Sequence, residues 1–122
     1  MPTVQIATNV AVSDKSCLLL LINDITDELV SIAGVPRGHV HIQILQGQVM
    51  SFGADATTPM CQVSVMMCEG QVDSQARNKV ASSIQPHLEK AFTGLVAGRT
   101  QVMFPTLKMS QIAIGGSLLA VE

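Results

Sequence analysis

Pro2 stands directly behind the leading methionine, in the stretch MPTVQIATNV. Removal of that methionine would leave the chain starting on a free secondary amine. An ordinary α-amino group titrates at about pH 8. A proline amine is intrinsically more basic, and apolar walls around it would disfavour the ammonium form and pull its pKa down. A base whose pKa lies near the working pH is the efficient one. Such a nitrogen can take the proton alpha to a carbonyl and hand it back to another atom. The same residue also suits the plain start of a strand, because proline has no N–H to give to a ladder. The residues alone leave both roles open.

The other chemistry-bearing residues read more plainly. His39 and His41, in HVHIQIL, are two apart and would share one face of a strand. No third ligand follows at a metal-site spacing, so neither a metal nor a cofactor is expected. Cys17, Cys61 and Cys68 are odd in number and lack Cys-x-x-Cys spacing, which reads as reduced thiols. Gly115-Gly116 has no helix after it and reads as a turn or bulge, not a phosphate loop. Met66-Met67 reads as core filling.

These residues need a frame to position them. The chain has 122 residues, enough for one domain over residues 1–122. Apolar residues make up 48% and charged residues 13%, which supplies a core and suggests further burial between subunits. With no Trp or Tyr, aliphatic and Met side chains must do the packing. The net charge is −2 and no Lys/Arg block exists, which argues against nucleic acid or an anionic membrane as partner. The longest apolar run, Cys17 to Ile22, is too short to span a bilayer and does not read as a signal peptide, so synthesis in the cytosol is expected.

VQIATN alternates as a half-buried strand. Ser13 or Asp14 can cap a helix whose stripe is Leu18, Ile22, Ile25, Leu29 and Ile32, ended by Gly34 with Pro36 beyond. HVHIQIL is a second strand, with Val40, Ile42 and Ile44 on one face. MCQVSVMM is a third, with Val63, Val65 and Met67 on one face. Asp73 or Ser74 can cap a second helix with Ala76, Val80, Ile84, Leu88 and Ala91 on its apolar side, kinked by Pro86 and closed by Gly94. TQVMF is a fourth strand, and QIAIGGSLLAV a short C-terminal strand or hairpin.

The order strand, helix, strand occurs twice, and PTVQIA resembles PMCQVS at equivalent places in the two halves. An internal duplication follows. The expected fold class is α+β: a duplicated β-α-β with a four-stranded mixed sheet and both helices on one face. The other face mixes Gln5, His41, Gln43, Gln62 and Ser64 with apolar residues. It suits packing against copies of itself around a wet centre.

The chain as a whole resembles the macrophage migration inhibitory factor and D-dopachrome tautomerase family of the tautomerase superfamily. MPTVQIATNV resembles the family start. SIAGVPRGHVHIQILQGQVMSFGA resembles its helix end, second strand and following loop, and CQVSVMMC its third strand. FPTLKMSQIAIGGSLLAVE resembles the C-terminal segment of the D-dopachrome branch. The resemblance implies a homotrimer with pockets at subunit interfaces, Pro2 at each floor as catalytic base, and a small keto/enol substrate. It also implies that the C-terminal segment adds a strand to a neighbour.

The family usually carries Gly-Lys-Pro after the first helix, where this chain has Gly34-Val35-Pro36. Valine can neither grip a carboxylate nor polarise a carbonyl. Arg37, two residues on, either substitutes or is a surface charge. The family's fourth strand supplies an aromatic and an amide from a neighbouring subunit; here Gln101 and Met103 occupy that region. The apolar wall falls near Cys68. Two readings follow. One is a keto–enol tautomerase acting on phenylpyruvate- or D-dopachrome-like substrates. The other is a catalytically impaired, cytokine-like protein of the same fold, secreted without a signal peptide and recognised by a cell-surface receptor. Intact Pro2 favours the first and Val35 the second.

Overall fold

Alternation sets the first strand. In β1 (Thr3–Thr8) Val4, Ile6 and Thr8 are fully buried while Gln5 between them is exposed. The computed structural model describes residues 1–121. Thr8 can be buried because its hydroxyl donates to the Met60 carbonyl at 2.7 Å.

Helix α1 (Lys15–Ala33) starts at Asp14, not Ser13, since the Asp14 carboxylate accepts the Ser16 N–H at 2.9 Å. It ends at Gly34, whose φ of 66° lets its N–H reach the Val30 carbonyl at 3.1 Å. The buried stripe is Leu21, Ile25, Thr26 and Leu29. Ile25 and Leu29 are as expected, but Leu21 is buried where Leu18 and Ile22 are only half-buried. Residues 17–22 are all apolar, so periodicity could not say which of them faces inward.

Strand β2 (His41–Leu45) lies parallel to β1, with Thr3 opposite His41 and Ile6 opposite Ile44. It begins two residues later than the sequence suggests. Arg37–His39 form a 3₁₀ turn after Pro36, closed by the His39 N–H to the Pro36 carbonyl at 2.9 Å. His39 is therefore off the strand, and the two histidines do not share a strand face.

The second unit repeats the first. Strand β3 (Cys61–Cys68) buries Cys61, Val63, Val65 and Met67. Helix α2 (Ser74–Ala91) is capped by Asp73, which accepts the Ala76 N–H at 2.8 Å, and buries Val80, Ile84 and Leu88. It runs on through Pro86, whose ring is exposed. It gives way at Phe92, with Gly94 lying in the turn beyond at φ 86°. Strand β4 (Thr100–Met103) stops before Phe104, and Pro105 breaks the lane. The lane resumes as β5 (Thr106–Leu107), also parallel to β3, and the Pro105 carbonyl accepts the Met67 N–H at 3.1 Å between the two pieces.

The strand order is β2-β1-β3-β4, with parallel outer pairs and an antiparallel centre. Each parallel pair is one strand–helix–strand unit, and β1 against β3 joins the two halves. Strands β2 and β4 form the sheet's edges. Buried residues of β1 and β3 and the buried stripes of both helices make one core, so both helices cover the same face. Across the helices, His87 of α2 sits 3.1 Å from Glu28 and 3.5 Å from Asp24 of α1.

The opposite face of the sheet has no cover among the described residues. Gln5 pairs with Gln43 at 3.0 Å and Gln62 with Gln101 at 2.9 Å across neighbouring strands. Met103 stands beside Ser64 in the same layer and is 39% exposed. Beyond β5, β6 (Ala113–Ile114) and β7 (Ser117–Leu118) form a hairpin whose Gly115-Gly116 turn has φ of 63° and 87°. Both central positions of such a turn need positive φ, which glycine supplies without strain. Among the described residues no helix is long and apolar enough to cross a membrane.

Candidate active site

Pro2 is buried at the head of β1. Its carbonyl accepts the His41 N–H at 3.1 Å, the last rung joining β1 to β2. Its ring nitrogen is an amide nitrogen as long as Met1 is attached. That nitrogen cannot act as a base, because its lone pair is shared with the Met1 carbonyl.

Met1 lines a cavity of about 630 Å³. One wall is Val35, 9% exposed, with His39 from the turn after α1. A second wall is the end of β3 and the turn beyond it: Cys68, Glu69, Gly70 and Gln71. The C-terminal segment closes the third side with Met109, Ile114 and Leu119. Ile114 is 52% and Leu119 40% exposed, so this apolar side is open to solvent in the single chain.

The turn at the end of β3 carries a polar group of the cavity held by two hydrogen bonds. Gly70 has φ of 77° and folds the chain back over the strand end. The Gln71 side chain then takes the Cys68 N–H on its oxygen at 3.0 Å. Its nitrogen donates to the Met1 carbonyl at 3.1 Å. With the oxygen engaged, the side-chain N–H₂ is aimed at the acyl group on the Pro2 nitrogen.

Two of the residues singled out from sequence, Val35 and Cys68, line this cavity beside Met1. Arg37 does not. Its guanidinium is engaged by Asp27 and Asn23 on the exposed side of α1, which is the surface-charge alternative. Gln101 and Met103 lie on the uncovered face of the sheet, and Gln101 lines a separate, shallower hollow with Phe52 and Thr100. Neither lines the cavity beside Met1. Sequence reasoning missed Glu69, Gln71 and His39 as cavity residues. The Glu69-Gly70 pair after a strand is a turn signal, which marks the turn but not where the Gln71 side chain goes.

Among the described lining residues Glu69 has the only side chain with a fixed charge, and there is no Lys or Arg. Among the described residues no group of three or more His, Cys, Asp or Glu could hold a metal ion.

Cys61 starts β3, at the end of the strand away from this cavity. Burial pushes its thiol up to about 12, because the thiolate would have to form in an apolar interior. Only the thiolate reacts with alkylating reagents. Exposed Cys17 is therefore expected to be alkylated in the native protein, and Cys61 at least about 100-fold more slowly until urea is added. Peptide mapping by mass spectrometry reads both sites, and comparable native rates would contradict the buried environment.

The chain matches the family model described as macrophage migration inhibitory factor (MIF) over residues 1–120. It is 29% identical over 120 residues to the macrophage migration inhibitory factor of Xenopus tropicalis, spanning 98% of this chain and 100% of that protein. The fold is similar to that of the macrophage migration inhibitory factor of Toxoplasma gondii, with a TM-score of 0.85 at 21% identity over 96% of this chain and 99% of that one. It is also similar to a structure described as "Q0 fused 4-OT wild type symmetric trimer", with a TM-score of 0.82 at 12% identity over 96% and 94%.

Proposed function

Because the chain belongs to the macrophage migration inhibitory factor family, we propose that it is a keto–enol tautomerase whose general base is the Pro2 amine, exposed when Met1 is removed. The observation that carries this reading is the burial of Pro2 beside a cavity with two mostly apolar sides. Burial of that kind lowers the pKa of an amine toward the working range. The step needs no co-reactant. The Pro2 nitrogen takes the proton on the carbon alpha to the carbonyl. The C–H electron pair becomes the C=C bond, and the carbonyl π pair moves to oxygen. The proline ammonium then protonates that oxygen, giving the enol; the reverse path gives the ketone.

The active assembly in this reading is a homotrimer. The uncovered sheet face, with its amide pairs and Met103, is the surface that meets neighbours. The similarity of the fold to a protein described as a symmetric trimer supports that arrangement. A neighbour's Gln101 and Met103 complete the cavity. Sedimentation at micromolar concentration is expected to give three times the chain mass of 12.9 kDa; a monomer would contradict it.

Val35 favours a second reading, a signalling or binding protein that keeps the cavity and has lost turnover. The two are separated by assaying phenylpyruvate and D-dopachrome with protein whose free Pro2 has been verified by mass spectrometry, beside Pro2→Gly. Turnover that falls in Pro2→Gly supports the enzyme. Absence of turnover in the verified parent supports the second reading.

A further inference from the structure

The Met1 acyl group doubles as a marker for where a substrate carbonyl would lie. Its oxygen is one amide group away from the Pro2 nitrogen and accepts the Gln71 N–H at 3.1 Å. Once Met1 is gone, the Gln71 N–H₂ loses that acceptor but keeps its orientation, because its oxygen is still held by the Cys68 N–H. A substrate oxygen that accepts this N–H₂ lies near the new amine, farther from its nitrogen than the acyl oxygen that amide geometry holds close. A neutral donor held in place stabilises the negative charge that grows on that oxygen as the proton leaves carbon.

The rest of the lining fixes what else the substrate can carry. Val35 is apolar and buried, Arg37 is engaged elsewhere, and no described Lys or Arg reaches the cavity. Glu69 places a carboxylate on the same turn as Gln71. A second carboxylate brought into this partly desolvated space meets a like charge and, while the Pro2 amine is unprotonated, no Lys or Arg to offset it. We infer that the site takes a carbonyl compound without a carboxylate beside the reacting carbons, and that the Gln71 amide holds its oxygen where a cation would hold an α-keto acid. This rests on the tautomerase reading above.

The test compares enol-to-ketone conversion of phenylpyruvate with that of its methyl ester, on protein with verified free Pro2. The comparison is run at a single pH of about 8, near the value of an ordinary α-amino group. The ester is expected to show kcat/KM about tenfold higher than the acid. Glu69→Gln should narrow that ratio, and Gln71→Leu should lower kcat for the ester about tenfold, with Gln71→Asn recovering part of the loss. The ratio measured on the unaltered protein stands even if a variant fails to fold. Phenylpyruvate turned over as fast as the ester, or faster, would overturn the inference and leave the tautomerase reading intact. No conversion of either compound above the buffer rate would overturn the tautomerase reading itself.

Discussion

Protein that keeps Met1 is expected to tautomerise at least about 100-fold, and up to about 10⁴-fold, more slowly than the same protein beginning at Pro2. The two forms share every side chain of the sheet and both helices. They differ in whether the ring nitrogen has a lone pair to offer, since an acylated proline nitrogen is no base. The Met1 backbone also fills the place beside Gln71 that a substrate oxygen would take. Retention thus removes the base and blocks the site together. The comparison is made on one expression product with and without methionine aminopeptidase treatment, each checked by mass spectrometry. For the processed form kcat/KM should rise with pH through the pKa of the amine, because the base is the unprotonated species. That pKa should fall below the value of about 8 for an ordinary α-amino group if the cavity desolvates it. Equal rates for the two forms would remove the proposed base.

Phe92→Ala is expected to cost about 3–5 kcal/mol of stability. Phe92 is the largest fully buried side chain of the core and follows the last turn of α2 directly. Its N–H closes that turn on Leu88, and its own carbonyl accepts the Leu95 N–H at 3.0 Å. Truncating the ring removes apolar contact from both helices' shared core and leaves a void at a place held by backbone bonds, which cannot collapse freely. Urea unfolding followed by circular dichroism should show a lower midpoint with an unchanged slope. Phe92→Leu should lose less than half as much, because it keeps most of the volume. A loss under about 1 kcal/mol for the alanine variant would mean that this end of the core is loosely packed.

Much of the fold was legible in the sequence. Alternation gave β1 and β3 with their inward residues, and Gly34 with Pro36 marked the end of α1. Repetition of strand, helix, strand gave the paired units and the placement of both helices on one face. The misses came where local signals were degenerate. The all-apolar stretch from Cys17 to Ile22 hid the phase of α1. The turn after Pro36 carries residues that are also good strand formers, so His39 read as strand. Pro105 split a lane whose two halves each pair properly with β3.

The site was legible only in part. The family resemblance pointed to Val35 and Cys68, which line the cavity, and to Pro2, which is buried at the head of β1. Arg37 kept two roles at the level of sequence, because its capture by Asp27 depends on how closely the turn after α1 folds back on the helix. Gln71 could not be found from spacing at all. It matters through two hydrogen bonds, one to the strand end and one to the first residue of the chain, and only the turn at Gly70 brings these together.

The two outermost strands have a consequence for how copies can meet. Each presents a rim of backbone donors and acceptors with no partner strand among the described residues, one along β2 and one along β4. A twofold pair would satisfy like rims against each other and leave the other two bare. A single type of contact consumes both only when it runs head to tail, with the rim of β2 in one molecule against that of β4 in the next. Such contact must close into a ring or run on as a fibre. If the proposed trimer closes this way, a mutation that keeps the contact but changes its angle should trade discrete particles for filaments.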